Sequence, residues 1–375
     1  MSKSINSLGL MSGTSGDGVD ASIVNSDGMN QCKVLFNKYF QYTEEISYTI
    51  HKLKNNIFKI DDIIKFSDQI NDLERKITLF HSNVVSKCIE INDFEIDIIG
   101  FHGQTILHSP KEKYSKQLGD GKLLSQLSKK KVVYNFRQND LKKGGEGAPL
   151  SPIFHKLFVK KNKIDLPVCI LNIGGISNLT IVLDTNEQNL ISRDIGPGNC
   201  LIDEWVRRNK RGNFDKNGEL AASGVTNKLL LNQALDDFEN ISLKNKKTFD
   251  VNDFEINFLR GLNLKDGVST ITEFTSKIIS SNLSNEILKL NKKISRIILC
   301  GGGRKNYTLV ERIKYNCDTK FKFETTDDYN VDGDFIESQA FAYLAIRSIL
   351  KLPISFPNTT GCISPSIGGK LVKNF

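Results

Sequence analysis

Several common signatures are missing from this sequence. Its seven cysteines (Cys32, Cys88, Cys169, Cys200, Cys300, Cys317 and Cys362) never approach CxxC spacing, which excludes zinc-ribbon and thioredoxin-type motifs. Their odd number, with several beside apolar runs such as Val168-Cys169-Ile170, fits buried reduced thiols in a reducing compartment. No apolar run approaches the roughly 20 residues that a bilayer requires, so no membrane partner is expected. The start, Met1-Ser2-Lys3-Ser4-Ile5-Asn6, lacks the apolar centre of a signal peptide, and a cytoplasmic protein is expected. No glycine loop ends in Gly-Lys-Ser/Thr and no GxGxxG opens a helix, so neither a Walker A loop nor a dinucleotide fingerprint is present. Long basic arms are absent too. The formal net charge of +8 comes from short scattered lysine groups (129–131, 142–143, 160–163, 244–247) without the interleaved aromatics of an RNA-binding motif. This reads as a solvated surface, and no nucleic-acid partner is expected.

What is present is ordinary globular composition: 375 residues, 39% hydrophobic and 25% charged, enough for two domains with their own cores. Short β-type runs alternate with helical periodicity, which predicts an α/β architecture. Residues 8–11 and 21–24 flank a glycine-rich turn and read as a hairpin. Apolar positions at Ile63, Phe66, Ile70, Leu73, Ile77, Phe80, Val84 and Cys88 step by three and four, predicting one long helix over 62–89, capped by Asp61 or Asp62. Residues 96–99 read as a strand stopped by Gly100 and Gly103. Further strands are predicted at 132–134, 168–173, 179–183 and 297–300, with helices at 201–207, 309–314 and 338–350. The run Gly144-Gly145-Glu146-Gly147-Ala148-Pro149 reads as a hinge.

Chemistry concentrates in loops. Gly13-Thr14-Ser15-Gly16-Asp17-Gly18-Val19-Asp20 puts glycines, hydroxyls and acids between two strands. Glycines let backbone N–H groups reach phosphate oxygens, hydroxyls add donors, and Asp17 or Asp20 is placed to hold Mg²⁺ directly or through water. Gly174 and Gly175 repeat the device after a second buried strand. Gly301 and Gly302 end a third, before a helix, where a surface without side chains suits an adenine or its ribose. Asp194, ahead of the turn Gly196-Pro197-Gly198, is either a general base or a turn acid. His102, Gln104 and Thr105 offer a donor mix for sugar hydroxyls, although His102 is equally a structural histidine. Arg137 suits a substrate carboxylate or a surface ion pair. Glu337 faces either a site or the N-terminal dipole of its own helix.

Together these motifs resemble the anhydro-N-acetylmuramic acid kinase family, within the actin/sugar kinase/Hsp70 ATPase superfamily. The likeness is carried by MSGTSGDGVD, GFHGQT, NFR with GGEGAPL, NIGGISNLT and DIGPGN, and spans essentially the whole chain. It implies a two-domain actin-like, ribonuclease H-like fold with a nucleotide cleft between domains, one formed by residues 1–137 with about 350–375 and the other by 138–349. It implies ATP and Mg²⁺ as cofactors, and transfer of the γ-phosphoryl group to O6 of 1,6-anhydro-N-acetylmuramic acid while water opens the anhydro ring. Asp194 then matches the aspartate that deprotonates that water, Gly13 to Asp20 the ATP loop, and Arg137 and Glu337 the sugar side. A homodimer is implied as well. Gly16 stands where a bulkier apolar residue is more usual, and is expected to loosen the loop. Glu146 replaces a commoner glutamine. Rival expectations are a kinase for another amino sugar, a non-catalytic ATP-binding member of the fold, and a nucleic-acid-binding protein.

Overall fold

The computed structural model describes residues 4–240, 248–249, 251–317 and 321–375, so the lysine group at 244–247 lies outside the described residues. The chain forms two compact units. The first comprises residues 1–164, 185–190 and 335–375; the second comprises 165–184 and 191–334.

The first unit holds β1 (Ile5–Ser12), β2 (Gly18–Ser26), β3 (Cys32–Gln41), β4 (Ile98–Ser109), β5 (Tyr114–Leu118) and β6 (Lys131–Tyr134). The second holds β7 (Val168–Ile173), β8 (Ile176–Val182), β9 (Ile191–Pro197), β10 (Arg296–Cys300) and β11 (Lys322–Thr325), and β12 (Lys370–Val372) returns to the first. The first sheet runs β12-β6-β4-β1-β2-β3, with β5 paired to β4; the second runs β11-β10-β7-β8-β9. In both, the first three strands form an antiparallel meander, and two later strands, β4 and β6 in the first sheet and β10 and β11 in the second, are parallel to the first strand. This is the ribonuclease H-like order 3-2-1-4-5, present twice. The duplication invisible in residue identities is therefore explicit in the topology, as the α/β, actin-like expectation requires.

Helices of the first unit are α1 (Glu44–Lys54), α2 (Ile60–Lys65), α3 (Ser67–Ile91), α4 (Gly121–Ser128), α5 (Gln138–Lys142) and α6 (Pro152–Lys161). The second unit has α7 (Cys200–Arg208), α8 (Glu219–Ser223), α9 (Lys228–Asn240), α10 (Leu264–Leu288) and α11 (Tyr307–Asn316). Helices α12 (Ile336–Ile349) and α13 (Pro357–Thr360) belong to the first unit. Strand alternation divides each sheet. Leu8 and Leu10 of β1 enter a core with Ile46 and Ile50 of α1 and Leu73 and Ile77 of α3. In the second unit Leu171 and Ile173 of β7 pack with Trp205 of α7 and Ile271 and Ile279 of α10.

Several expectations are corrected. Strand β4 is not stopped at Gly100 or Gly103 but runs on to Ser109. Gly100 pairs with Gly9 across β1, and both lie under α12. A Cβ on Gly9 would lie 2.0 Å from the Ser338 carbonyl oxygen, and one on Gly100 2.2 Å from that of Phe341. These glycines let helix backbone touch sheet. The long helix is two, broken at Phe66 (φ −102°, ψ 19°). The Asp62 carboxylate caps α2 from within by accepting the N–H groups of Phe58 and Lys59. The 144–149 stretch lies inside the first unit and is pinned rather than hinged. Buried Asp140 accepts the Gly147 N–H at 2.7 Å and the Thr360 hydroxyl at 2.7 Å, and also holds Ser355. The chain passes between units near 164, 184, 190 and 334 instead of 137 and 349, because α12 packs on the first sheet and α6 packs on α12.

Candidate functional site

Each unit carries its candidate residues at the same end of its sheet, around the turn joining its first two strands. In the first unit this turn is residues 13–17. It is fastened from three sides: Gln104 Nε2 donates to the Gly13 carbonyl at 3.0 Å, Lys54 Nζ to that of Thr14 at 2.9 Å, and the Tyr42 N–H to that of Asp17 at 2.8 Å. Below it, Ser12 donates to the Gly18 carbonyl and meets the Tyr42 hydroxyl at 2.5 Å. Burial, with Asp17 and Tyr39 nearby, pushes the Tyr42 phenol well up, so it stays a neutral support. Gly16 does not loosen the loop. It is buried with φ +64°, and a Cβ there would sit 2.9 Å from Ile50 Cγ2. Thr14, Ser15 and Asp17 stay exposed, with Ser15 donating to Asp17 Oδ1 at 2.6 Å. Val19 is core, and Asp20 follows it in β2 opposite Met11 and Tyr39.

The structure brings His102 and Arg137 together. His102 Nδ1–H donates to the Gly103 carbonyl at 2.7 Å, and its Nε2 accepts from Arg137 Nη2 at 2.9 Å. That pattern defines the neutral tautomer. Burial, then the Arg137 charge, holds the imidazole well below its ordinary range. Arg137 Nη1 also donates to the Gly147 carbonyl at 2.9 Å, tying NFR to GGEGAPL. The Phe341 ring lies tilted with its centre 4.5 Å from that of His102, and Glu337 stands one turn earlier on the same face of α12, half-buried. Thr105 accepts from Gln117 Nε2, and His108 Nδ1 meets Ser115 Oγ at 2.9 Å, its imidazole lowered by burial and by the Arg137 charge. Gln104, expected on the sugar side, spends its amide on the loop.

In the second unit three glycine turns meet. Gly174 and Gly175 form a two-residue turn whose carbonyls accept the N–H groups of Asn199, Gly198 and Cys200, so it is bound to the turn after Asp194. Gly301 (φ +79°) closes on the end of β7: a Cβ there would lie 2.4 Å from Asn172 Oδ1, whereas Gly302 faces open space. Asp194 sits in β9, half-buried, directly opposite Asn178 of β8, and its Oδ2 accepts the Phe249 N–H at 2.8 Å. A bulge follows at once: Ser177 pairs with Gly196, leaving Ile195 to turn into the core, its carbonyl taken by Asn282. Bulges of this kind re-aim neighbouring side chains.

Residue reading missed three supports. Arg304, just past the glycines, is buried and bonds Asp327, Asp332 and Asp334 at 2.5–3.0 Å. The acids of 327–334 were the available signal. Asp140 had none, because two of the partners of its side chain, Ser355 and Thr360, lie more than 200 residues away. Asn178 stood within NIGGISNLT, but only its position across from Asp194 marks it. Among the described residues no helix is long and apolar enough to cross a membrane, and no group of three or more His, Cys, Asp or Glu forms a metal cage.

The chain matches the family described as anhydro-N-acetylmuramic acid kinase over residues 5–374. It is 54% identical to the anhydro-N-acetylmuramic acid kinase of Pelagibacter ubique, over the full length of both chains. It is 35% identical to that of Zymomonas mobilis subsp. mobilis, over 97% of this chain and 98% of the relative. The Brucella canis protein of the same name is also 35% identical, over 98% of each. With a match across nearly every residue and a relative at this identity, the chain belongs to the anhydro-N-acetylmuramic acid kinase family.

Proposed function

We propose that this protein transfers the γ-phosphoryl group of ATP to O6 of 1,6-anhydro-N-acetylmuramic acid, with hydrolytic opening of the anhydro ring, giving N-acetylmuramic acid 6-phosphate and ADP. Family membership supports the reaction class, and the observation that carries the ring opening is Asp194. Its carboxylate is steadied through Oδ2 by a backbone N–H and set beside a bulge, as a general base that must meet one water requires. Thr14, Ser15 and the backbone of residues 13–17 are the phosphate grip; Gly174, Gly175, Gly301 and Gly302 accept the rest of the nucleotide. His102, Thr105, Arg137 and Glu337 shape the sugar side, with Arg137 as a fixed cation for the muramic carboxylate.

Mg²⁺ in phosphoryl transfer takes most of its ligands from phosphates and water, with one or two carboxylates. Asp17, exposed on the loop with one oxygen turned to Ser15, fits that limited part and would hold the ion directly or through water. The ion would neutralise charge on the transferring phosphoryl group. A cytoplasmic homodimer completes the reading, and sedimentation velocity tests the dimer.

The deciding experiment measures ATP consumption with the anhydro sugar, open N-acetylmuramic acid and glucose in parallel, followed by product mass. The expected product has gained both phosphate and water. Phosphorylation without water, preference for another amino sugar, or nucleotide binding without turnover would each overturn the proposal.

A further inference from the structure

Asn172 of β7, Asn178 of β8 and Asp194 of β9 are consecutive cross-strand neighbours, so one row of polar side chains crosses the second sheet at its turn end. Directly opposite residues place their Cβ atoms about 5 Å apart on one face. Strand alternation sends Leu171, Ile173, Leu179 and Ile195 into the core and leaves this row on the other face. Within it, Asn178 Oδ1 is shielded from solvent and accepts no hydrogen bond among the described residues. A buried acceptor left unmade is costly, and one that stands beside a candidate catalytic acid is answered most simply by a ligand or water.

The neighbour of that acceptor is a carboxylate, which also only accepts when ionised. Two acceptors side by side repel each other unless a donor lies between them. A sugar hydroxyl has one O–H and answers one of them. Water has two, and answers both while keeping a lone pair pointing away from the pair. We infer that Asn178 is a positioning residue for the reacting water, its Oδ1 taking one O–H while Asp194 takes the other. This rests on the role proposed for Asp194. In the step itself, one water proton passes to the Asp194 carboxylate, and the freed electron pair on the water oxygen forms the bond to the anomeric carbon. The bond from that carbon to O6 breaks, with its pair remaining on O6. O6 bonds to the γ-phosphorus, ADP departs, and Asp194 returns its proton to solvent. Asn178 gives and receives no proton; it fixes which lone pair faces the sugar.

The test sets activity against stability. Asn178→Leu keeps the branched shape and removes the acceptor, so kcat with the anhydro sugar falls about 10²-fold, the scale of a misplaced reactant, while KM for ATP stays within about twofold. Asn178→Asp keeps an acceptor at the same place. Across a pH profile from about pH 6 to about pH 9, its best kcat is at least about tenfold above that of the leucine variant. Melting temperatures run the other way, with leucine no lower than aspartate, since burying an apolar isostere costs less than burying a second charge. A purely structural asparagine would give the same order in both measurements. Asn178→Ala provides the acceptor-free comparison should the leucine variant fail to fold. A leucine or alanine variant within about threefold of the unaltered protein in kcat, or an aspartate variant no better than leucine, overturns the inference. Asp194→Asn separates the two ideas: if it turns over normally the base assignment falls, whereas if it is inactive and Asn178→Leu is normal only the role of Asn178 falls.

Discussion

The two units share one strand order but carry different residues at matching places. In the first, the turn between the opening strands is five residues long and carries hydroxyls and an acid; in the second it is two glycines. The third residue of the second strand is Asp20 in one unit and Asn178 in the other. Across from them, in the third strand, stand Tyr39 and Asp194. The acid has moved one strand over. The first unit fits a phosphate grip, braced from outside by Lys54, Gln104 and Tyr42, while the second fits a base beside a bulge. The lesson is that the fold supplies places, and the residues at turns and cross-strand positions supply function.

The widest expected separation between the units is in acid. All five histidines lie in the first unit and none in the second. Burial pulls His81 down to about 4 and His108 and His155 to about 3, and burial with Arg137 lowers His102. Unfolded histidine titrates near 6.5, so the unfolded chain takes up protons first. The stability these groups confer is complete above that pH and is lost as pH falls through it toward 4. At about pH 5 His81, His108 and His155 each cost about 2 kcal/mol, roughly 6 kcal/mol together, comparable with the whole stability of a domain, and His102 acts in the same direction. The single tryptophan, Trp205, is buried in the second unit and reports on it alone. Acid titration is expected to lower far-UV circular dichroism at a higher pH than Trp205 fluorescence. Coincident transitions would break the contrast.

Next in size is catalysis. Asp194→Asn is expected to lower kcat by up to about 10⁴-fold, with nucleotide affinity by calorimetry unchanged. Asp20→Asn, the same exchange near the matching place in the first unit, is expected to act on nucleotide and Mg²⁺ affinity with a smaller loss in kcat. Equal kcat losses would erase the division of labour.

What the sequence made legible followed local physics. Strand β7 and helices α7, α11 and α12 fall within two residues of their predicted bounds, because apolar alternation and periodicity are written in adjacent residues. The glycine turns were visible for the same reason. Gly100 misled, since glycine reads as a stop unless a helix known only from the three-dimensional packing lies against it. Phe66 hid a helix break, because its apolar character kept the period while its backbone left the helix. Asn178 was invisible as a participant, because cross-strand register after a bulge has no local signature.

The Gly9–Gly100 pair offers a smaller contrast. Its counterparts in the second sheet are Ile170 and Ile298, likewise paired and fully buried. Gly9→Ala is expected to cost about 3 kcal/mol in urea unfolding, since the methyl meets helix backbone that cannot yield like a side chain. Ile170→Val, which removes one methylene, is expected to cost about 1 kcal/mol. Similar costs would mean that α12 can lift from the sheet without penalty.

The smallest effect concerns what each unit sets beside the end of its first strand. In the first, Gln104 lies beside Ser12 and reaches back to the Gly13 carbonyl; in the second, the place just past β10 is Gly301, with no side chain at all. Gln104→Leu keeps the volume, removes the bond to the loop and also removes the buried, unpartnered Oε1. Those two changes offset each other in folding, so the melting temperature should barely move. The loop loses a brace, however, and nucleotide must then order it. The expected result is a nucleotide Kd weakened by about fivefold, on the order of 1 kcal/mol, with kcat at saturating nucleotide unchanged. A fall in kcat with Kd intact would move Gln104 from the phosphate loop to the sugar. The first unit would then hold part of the sugar pocket beneath its own phosphate grip, and the contrast with Gly301 would be one of substrate recognition, not of loop support.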